Sequence, residues 1–457
     1  MRWPHTRKPV SPSFRSRGTI AVAVLVSGVV GGFAISHQGS MVLLLCGAVL
    51  AILCLPLLGD RAFPWALVIV AVAPWYPFVA TTALAPRVPQ RVLAAFIAIA
   101  PLVPWLWSVG TDRRSALPRS RWSVLLGILY AGYAILIYNT VGGVKPMVQA
   151  GTVGFLFGGV TFLCARRFTN PRPWLAASFG GLLVLLVMGI DAKASASGNR
   201  IGYFVGYPIT YGALVVGLLP AALLFAARRS RLLALAVGAL AAVALIWSQS
   251  RSSWAAVAVM LLVLVAVLVR RRAMRAVALV GGATAVVIAI IFLTGSLRHV
   301  VETGLSVKIG SSSSVTHRTW SLGFGWHEIG LAPILGQGAP GSAAKLTGNA
   351  TGISAVDNGY VSITVDMGIF GLIGALVPIV IALIVVVRCL LSGLSPPLEL
   401  ALALGILGMA VVTAFYDSFY WASIVMLMAG MSGVLSTRLR LLGQRAALAR
   451  AHHDPAF

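Results

Sequence analysis

The chain has 457 residues, of which 59% are apolar and only 10% charged, and its mean hydropathy is +0.95. That balance excludes a soluble globule with an ordinary polar surface and makes lipid the solvent. A formal charge of +25 would suit nucleic acid if the basic residues formed one patch, but they come in short clusters separated by apolar runs, so no nucleic-acid partner is expected.

Apolar runs recur at 19–36, 40–58, 63–80, 92–109, 122–140, 147–164, 174–190, 208–227, 232–248, 253–269, 276–294, 360–387, 398–415 and 419–436. Each is long enough to cross a hydrocarbon core of about 30 Å as a helix. Backbone polar groups in lipid must be satisfied within the segment, so the expected fold is all-α. It is a polytopic transmembrane helical bundle of about 12–14 spans, with one long extracytoplasmic loop containing a short amphipathic helix.

With the N-terminal cluster Arg2, Arg7, Lys8, Arg15 and Arg17 in the cytoplasm, the other basic clusters fall on the same side. They are Arg113/Arg114/Arg119/Arg121, Arg166/Arg167/Arg172, Arg228/Arg229/Arg231, Arg270/Arg271/Arg272/Arg275 and Arg438/Arg440/Arg445/Arg450. A missed span would reverse part of the pattern, so both termini are expected in the cytoplasm. The regions read as a basic N-terminus at 1–18, a first bundle at 19–230, a second transmembrane region at 231–436 with the loop 295–359, and a basic tail at 437–457. The first span reads as a retained signal anchor. Cys46, Cys54, Cys164 and Cys389 lie in or at the ends of apolar runs without metal-like spacing.

In chain order, the first informative connection is Asp191 to Tyr207, which carries Lys193, Arg200, Tyr203 and Tyr207. It reads as a polar loop with interface tyrosines or as a substrate-contacting loop, with Arg200 the candidate contact. Next comes Ser248-Gln249-Ser250-Arg251-Ser252-Ser253-Trp254, in which Arg251 is the sole basic residue of a turn between two apolar spans. Arg251 is a snorkelling anchor or a functional cation.

The connection 295–359 is the only long one. Such a segment in a compact membrane protein is a lid, a binding loop or disorder. Ser311 to Ser314 and the stretch Ala339 to Val356 read as flexible. Between them, Trp320, Phe324, His327 and Leu331 recur at spacings of four, three and four, with Arg318 at the start and Trp326 nearby. This pattern predicts a short amphipathic helix over Thr316 to Leu331, lying at the membrane interface with its aromatics down. His317, His327 and Glu328 are candidate contacts, and Pro333 to Gly338 is a turn-forming stop.

Where the loop re-enters the membrane stand Asp357, Asn358 and Tyr360, followed by Asp366 two turns deeper. Asp417 lies in Tyr416-Asp417-Ser418-Phe419-Tyr420 at the last external turn. Charges in or near lipid are costly, so each is functional or paired by default. Asp357 also suits a helix cap. The glycines at 368, 371 and 374 read as a small-residue ridge for close helix packing.

These local patterns resemble the O-antigen ligase and polymerase family of bacterial membrane glycosyltransferases. The Ser250-Arg251 turn is similar to the family's Ser-Arg turn. Arg318-Thr319-Trp320 followed by Ala332-Pro333-Ile334-Leu335-Gly336-Gln337-Gly338 is similar to its Arg-rich helix leading into a Pro-x-x-Gly-x-Gly turn. Asp357-Asn358, separated by nine residues from Gly368, stands where the ligases carry a His-Asn pair. The resemblance covers mainly residues 230–430.

The resemblance implies a cell-envelope enzyme of the bacterial cytoplasmic membrane with its active site outside. The donor would be a glycan on a polyprenyl diphosphate and the acceptor a glycan or lipid hydroxyl. Ligation and polymerisation are both open. Arginine suits the leaving diphosphate because its planar fork donates bidentate bonds and stays charged. Arg251 and Arg318 are therefore the candidate clamp, and no metal or cofactor is expected. Asp357 is the candidate base for the acceptor hydroxyl. Arg200, His317, Trp320, Asn358, Tyr360, Asp366 and Asp417 are candidate substrate contacts. A transporter or lipid-linked-oligosaccharide flippase is the competing class, although its ionisable groups would be expected near the midplane in repeated broken helices. A scaffold without chemistry is a third.

Overall fold

The computed structural model describes residues 62–72, 158–159, 161–162, 165–166, 170–195, 201, 207–293, 313–337, 356–392, 397–417, 419 and 421–453. The expected spans at 19–36, 40–58, 92–109 and 122–140, and parts of those at 63–80 and 147–164, lie outside these residues, as do Arg200 and the stretch 339–355.

Among the described residues every element is a helix: α1 Ala62–Val72, α2 Arg172–Ser195, α3 Pro208–Ala227, α4 Arg231–Ser248, α5 Arg251–Arg270, α6 Met274–Leu293, α7 Ser313–Leu331, α8 Gly359–Ser392, α9 Pro397–Ala414 and α10 Ala422–His453. Seven of them, α2 to α5 and α8 to α10, are long and apolar enough to cross a membrane. The protein is thus a polytopic helical membrane protein.

Helix α3 is the hub, packing against α2, α4 and α9 and also meeting α5 and α10. It starts at Pro208, whose missing N–H and fixed φ suit a first turn. It crosses α9 closely, for a Cβ on Gly405 would fall inside the Gly217 carbonyl. Around that crossing Leu214, Leu218, Leu402, Ile406 and Met409 are fully buried. The Tyr211 hydroxyl in this layer is satisfied, since it donates to the Leu185 carbonyl of α2 at 3.2 Å.

Helix α10 continues past the expected end of the last span, running to His453 through most of the basic tail. One ion pair ties it to α9 far from the Ala414 end: Arg438 donates to Glu399 at 2.8 Å, with Glu399 only 3% exposed. The second carboxylate oxygen of Glu399 is buried and accepts no hydrogen bond among the described residues.

The longest helix, α8, is broken. Gly368 has φ 62° and ψ −156°, a conformation open essentially to glycine alone. This corrects the reading of Gly368 as part of a packing ridge. Gly371 departs from that reading too, because the atoms nearest its Cβ direction are Met367 and Ile363 of its own helix.

Candidate functional site

One end of the bundle gathers the turns that sequence reasoning singled out. Helix α4 stops because Gln249 adopts the left-handed conformation at φ 52°. Ser248 donates to the Leu245 carbonyl at 2.7 Å, and Ser250 bonds Ser253 at 2.7 Å, so the turn is stitched by its own hydroxyls. Trp254 donates back to Leu245 at 2.9 Å. Arg251 opens α5 from this turn, exposed, with no side-chain partner among the described residues. The start of α3 lies against the same turn, since a Cβ on Gly212 would meet Ser253 and Ser250.

The preceding loop returns to the same place. The N–H of Ile201, next to Arg200, donates to the Trp247 carbonyl at 3.2 Å. Tyr207 then stacks on Tyr416 with ring centroids 5.9 Å apart. The Tyr416 oxygen accepts from Trp421 at 3.0 Å, and burial pushes its phenol well above the ordinary range, keeping it neutral.

The start of α8 is held against the end of α9. Asn358 caps α8 by accepting from the N–H groups of Tyr360 and Val361 at 3.0 and 3.1 Å. Its amide donates to the Ala414 carbonyl at 3.0 Å. The capping alternative raised for Asp357 is thus met by its neighbour. Tyr360 donates to Ala410 at 3.0 Å, and Ser362 donates to Asp417 at 2.7 Å. Asn358 and Tyr360 act as fasteners for the α8–α9 contact, and Asp417 is bound to the same helix.

Asp357 faces α7. Arg318 donates to its carboxylate at 3.4 Å, and the side chains are 46% and 27% exposed. The structure therefore unites Arg318 and Asp357, two of the three candidate catalytic residues, and leaves Arg251 at the same end on a separate turn. His317 and Trp320 sit on α7, where Trp320 is exposed and stacks on Phe324 at 5.7 Å. Asp366 is half-buried, two residues before the break in α8. Among the described residues no group of three His, Cys, Asp or Glu gathers as metal ligands would.

Helix α7 is amphipathic, with Trp320, His327 and Leu331 of the expected stripe exposed and Phe324 half-buried. It begins at Ser313, three residues earlier than expected, and buries Ser321, Gly325 and Glu328, with Phe324 and Ile329 half-buried beside them. These last two pack on Val356, just before α8, and on Val361 and Val365 of its first arm. Trp326 and Leu331 stay exposed. A small and polar stripe flanked by Phe324 and Ile329 faces the protein, and Trp320, Leu322, Trp326 and Leu331 are left for the surroundings.

The turn after α7 explains the break in α8. A helical Ile369 would donate its N–H to the Val365 carbonyl four residues back. Gly368 separates the two groups, and the turn Pro333 to Gln337 takes up both: Ile369 donates to the Pro333 carbonyl at 2.9 Å and Gln337 donates to the Val365 carbonyl at 2.8 Å. The approach is so close that a Cβ on Gly336, itself at φ 72°, would stand 2.5 Å from the Asp366 carbonyl. The Gln337 amide reaches back to α7, donating to the Glu328 carbonyl at 2.8 Å and to its carboxylate. Sequence reasoning missed Gln337 and passed over Glu328 as a loop contact. The available signal was the pairing of a Pro-x-x-Gly turn with a glycine inside an otherwise unbroken span.

Residues 236–376 match the family model described as O-antigen ligase. No curated protein matches the chain. The matched stretch runs from α4 to beyond the break in α8, and so contains the Ser250-Arg251 turn, α7, the Pro333 to Gln337 turn and the Arg318–Asp357 pair. The chain is accordingly a multi-pass helical membrane protein with a region, residues 236–376, similar to the O-antigen ligase family, and that similarity supports a role in glycan transfer at a membrane.

Proposed function

We propose that the protein transfers or polymerises a glycan from a polyprenyl-diphosphate donor onto an acceptor hydroxyl at the extracytoplasmic face of a bacterial cytoplasmic membrane. The observation that carries this reading is the Arg318–Asp357 contact inside the matched region, at the end of the bundle that also bears Arg251. In the reaction the acceptor oxygen attacks the anomeric carbon and its proton passes to the Asp357 carboxylate. The bond from that carbon to the diphosphate oxygen breaks, and the electron pair leaves with polyprenyl diphosphate.

Arg318 has two tasks in this scheme. At rest it orients the Asp357 carboxylate, and during transfer its guanidinium meets the charge growing on the leaving diphosphate, together with Arg251. The contact at 3.4 Å is loose and exposed, which suits a cation that changes partner. Asp366, Asp417, Trp320, His317 and Arg200 are the proposed substrate contacts, by residue type and position in the sequence. The transferase region is 231–436, with 19–230 as a supporting bundle.

The test is the purified full-length protein mixed with a polyprenyl-diphosphate glycan and candidate acceptors. Acceptor-dependent release of polyprenyl diphosphate, lost in Arg318→Ala and in Arg251→Ala, is the expected result. Movement of the donor across vesicles without bond cleavage would overturn it in favour of a flippase.

A further inference from the structure

The Arg318–Asp357 contact needs help to exist at all. A pair this exposed contributes about 0–1 kcal/mol, too little to hold α7 and α8 in register. The two helices carry these residues near their starts, and each runs roughly 12–15 Å further to the place where the turn Pro333 to Gln337 joins them. There the contacts are of another kind. Glu328 is 5% exposed, its carboxylate receives the Gln337 amide, and the Gln337 backbone completes the broken helix at Val365. A buried carboxylate bonded this way is expensive to release, because separation leaves it desolvated without that donor.

We propose that Gln337 is a positioning residue: by joining Glu328 of α7 to the Val365–Ile369 gap in α8, it sets the approach of Arg318 to Asp357 at the far ends of the two helices. The inference rests on the transfer reading for its catalytic consequence, but its structural half stands alone. Non-helical backbone at membrane depth is tolerated only where protein satisfies it. Here the satisfaction is reciprocal, since the turn supplies one acceptor and one donor and α8 supplies their complements. Gln337 bonds both helices, α7 through its side chain and α8 through its backbone N–H.

The experiment uses the full-length protein in membranes with Cys46, Cys54, Cys164 and Cys389 replaced by Ala and the pair Gly325→Cys/Val361→Cys installed. A Cβ on Gly325 points at the Val361 side chain, so the two thiols lie across the α7–α8 contact. Disulfide formation under a mild copper oxidant is followed as protection from a maleimide polymer, and transfer is measured in parallel without the cysteine pair.

Gln337→Glu sets a second carboxylate against Glu328. It is expected to slow disulfide formation at least about tenfold and to lower kcat by about 100-fold with KM for the donor little changed, as a misplaced catalytic group does. Adding Glu328→Gln recreates an amide facing a carboxylate with the partners exchanged, and is expected to recover both readouts in part, since the bond from the Gln337 amide to the Glu328 carbonyl is not restored. Gln337→Met, which keeps the backbone bond and the volume, should move both in the same direction by less. Unchanged disulfide rate and kcat in Gln337→Glu would overturn the proposal, as would the absence of any recovery in the exchanged pair. If the wild type releases no polyprenyl diphosphate, the transfer reading fails, and the disulfide measurements still decide whether Gln337 sets the α7–α8 contact.

Discussion

Two ion pairs lie near opposite ends of α9, and they use the same chemistry for different ends. Arg438–Glu399 is short and the carboxylate is buried; Arg318–Asp357 is longer and both members reach the surroundings. Burial separates their roles. A buried pair resists loss of one partner because the other charge is stranded, whereas an exposed pair can exchange partners at little cost. The first therefore fastens α9 to α10, and the second has the exposure that the proposed meeting with a substrate requires.

The largest effect that tests this contrast is on activity. Asp357→Asn is expected to lower transfer by about 100-fold to 10,000-fold, the range of a positioned base. Its thermal midpoint in detergent should stay within what about 1 kcal/mol produces, since the exposed pair contributes no more. Asp357→His, which restores a titratable base, should retain measurable transfer. A large loss of stability with activity per folded molecule intact would make Asp357 structural and erase the contrast.

At the other pair the pattern should invert. Arg438→Met strands Glu399, whose second oxygen already lacks a partner among the described residues, and is expected to cost about 3–5 kcal/mol. The measurement is the thermal midpoint and the yield of monodisperse protein in detergent, with transfer per folded molecule unchanged. Glu399→Leu combined with Arg438→Met should recover most of the stability, as apolar replacement of a buried pair does. If the double variant is as unstable as the single, the pair is part of a larger network.

A smaller effect is expected at the break in α8. Gly368→Ala places a Cβ in a glycine-only conformation and against the Ile334 carbonyl, at a cost of order 1–3 kcal/mol. It should lower transfer as well, because the turn can no longer dock. Gly282→Ala in α6, where a Cβ meets open space, is the control and should leave transfer unchanged.

The break also shows why part of the molecule was readable in sequence and part was not. The ends of α3, α4 and α9 were legible almost to the residue, because Pro208, Ser230, the Ser-Gln-Ser turn and Pro397 punctuate apolar runs locally. The run from 360 to 387 carries no such mark at Gly368. Its cause lies in Pro333 to Gln337, more than thirty residues earlier, and a local pattern cannot report a distant hydrogen-bond exchange. Arg318, Asp357 and Arg251 became candidates through motif resemblance and placement. Asn358 as the cap, Ser362 as the partner of Asp417 and Gln337 as the link became visible only from contacts across helices.

The inner face of α7 could not be read from the sequence for a further physical reason, and this leads to the smallest effect. In water a helix buries its large apolar side chains; here Ser321, Gly325 and Glu328 are buried while Trp326 is exposed. If lipid is the surrounding solvent of that outer face, an exposed Trp is at home in the headgroup region. Trp326→Ala should then shift stability in detergent by no more than about 0.5 kcal/mol, as surface substitutions do. The emission lost on its removal should be blue-shifted in reconstituted vesicles and quenched by lipids brominated near the headgroup. Quenching by aqueous iodide in its place would put the outer face of α7 in water and detach Arg318 and Asp357 from the membrane surface where a lipid-linked donor must arrive.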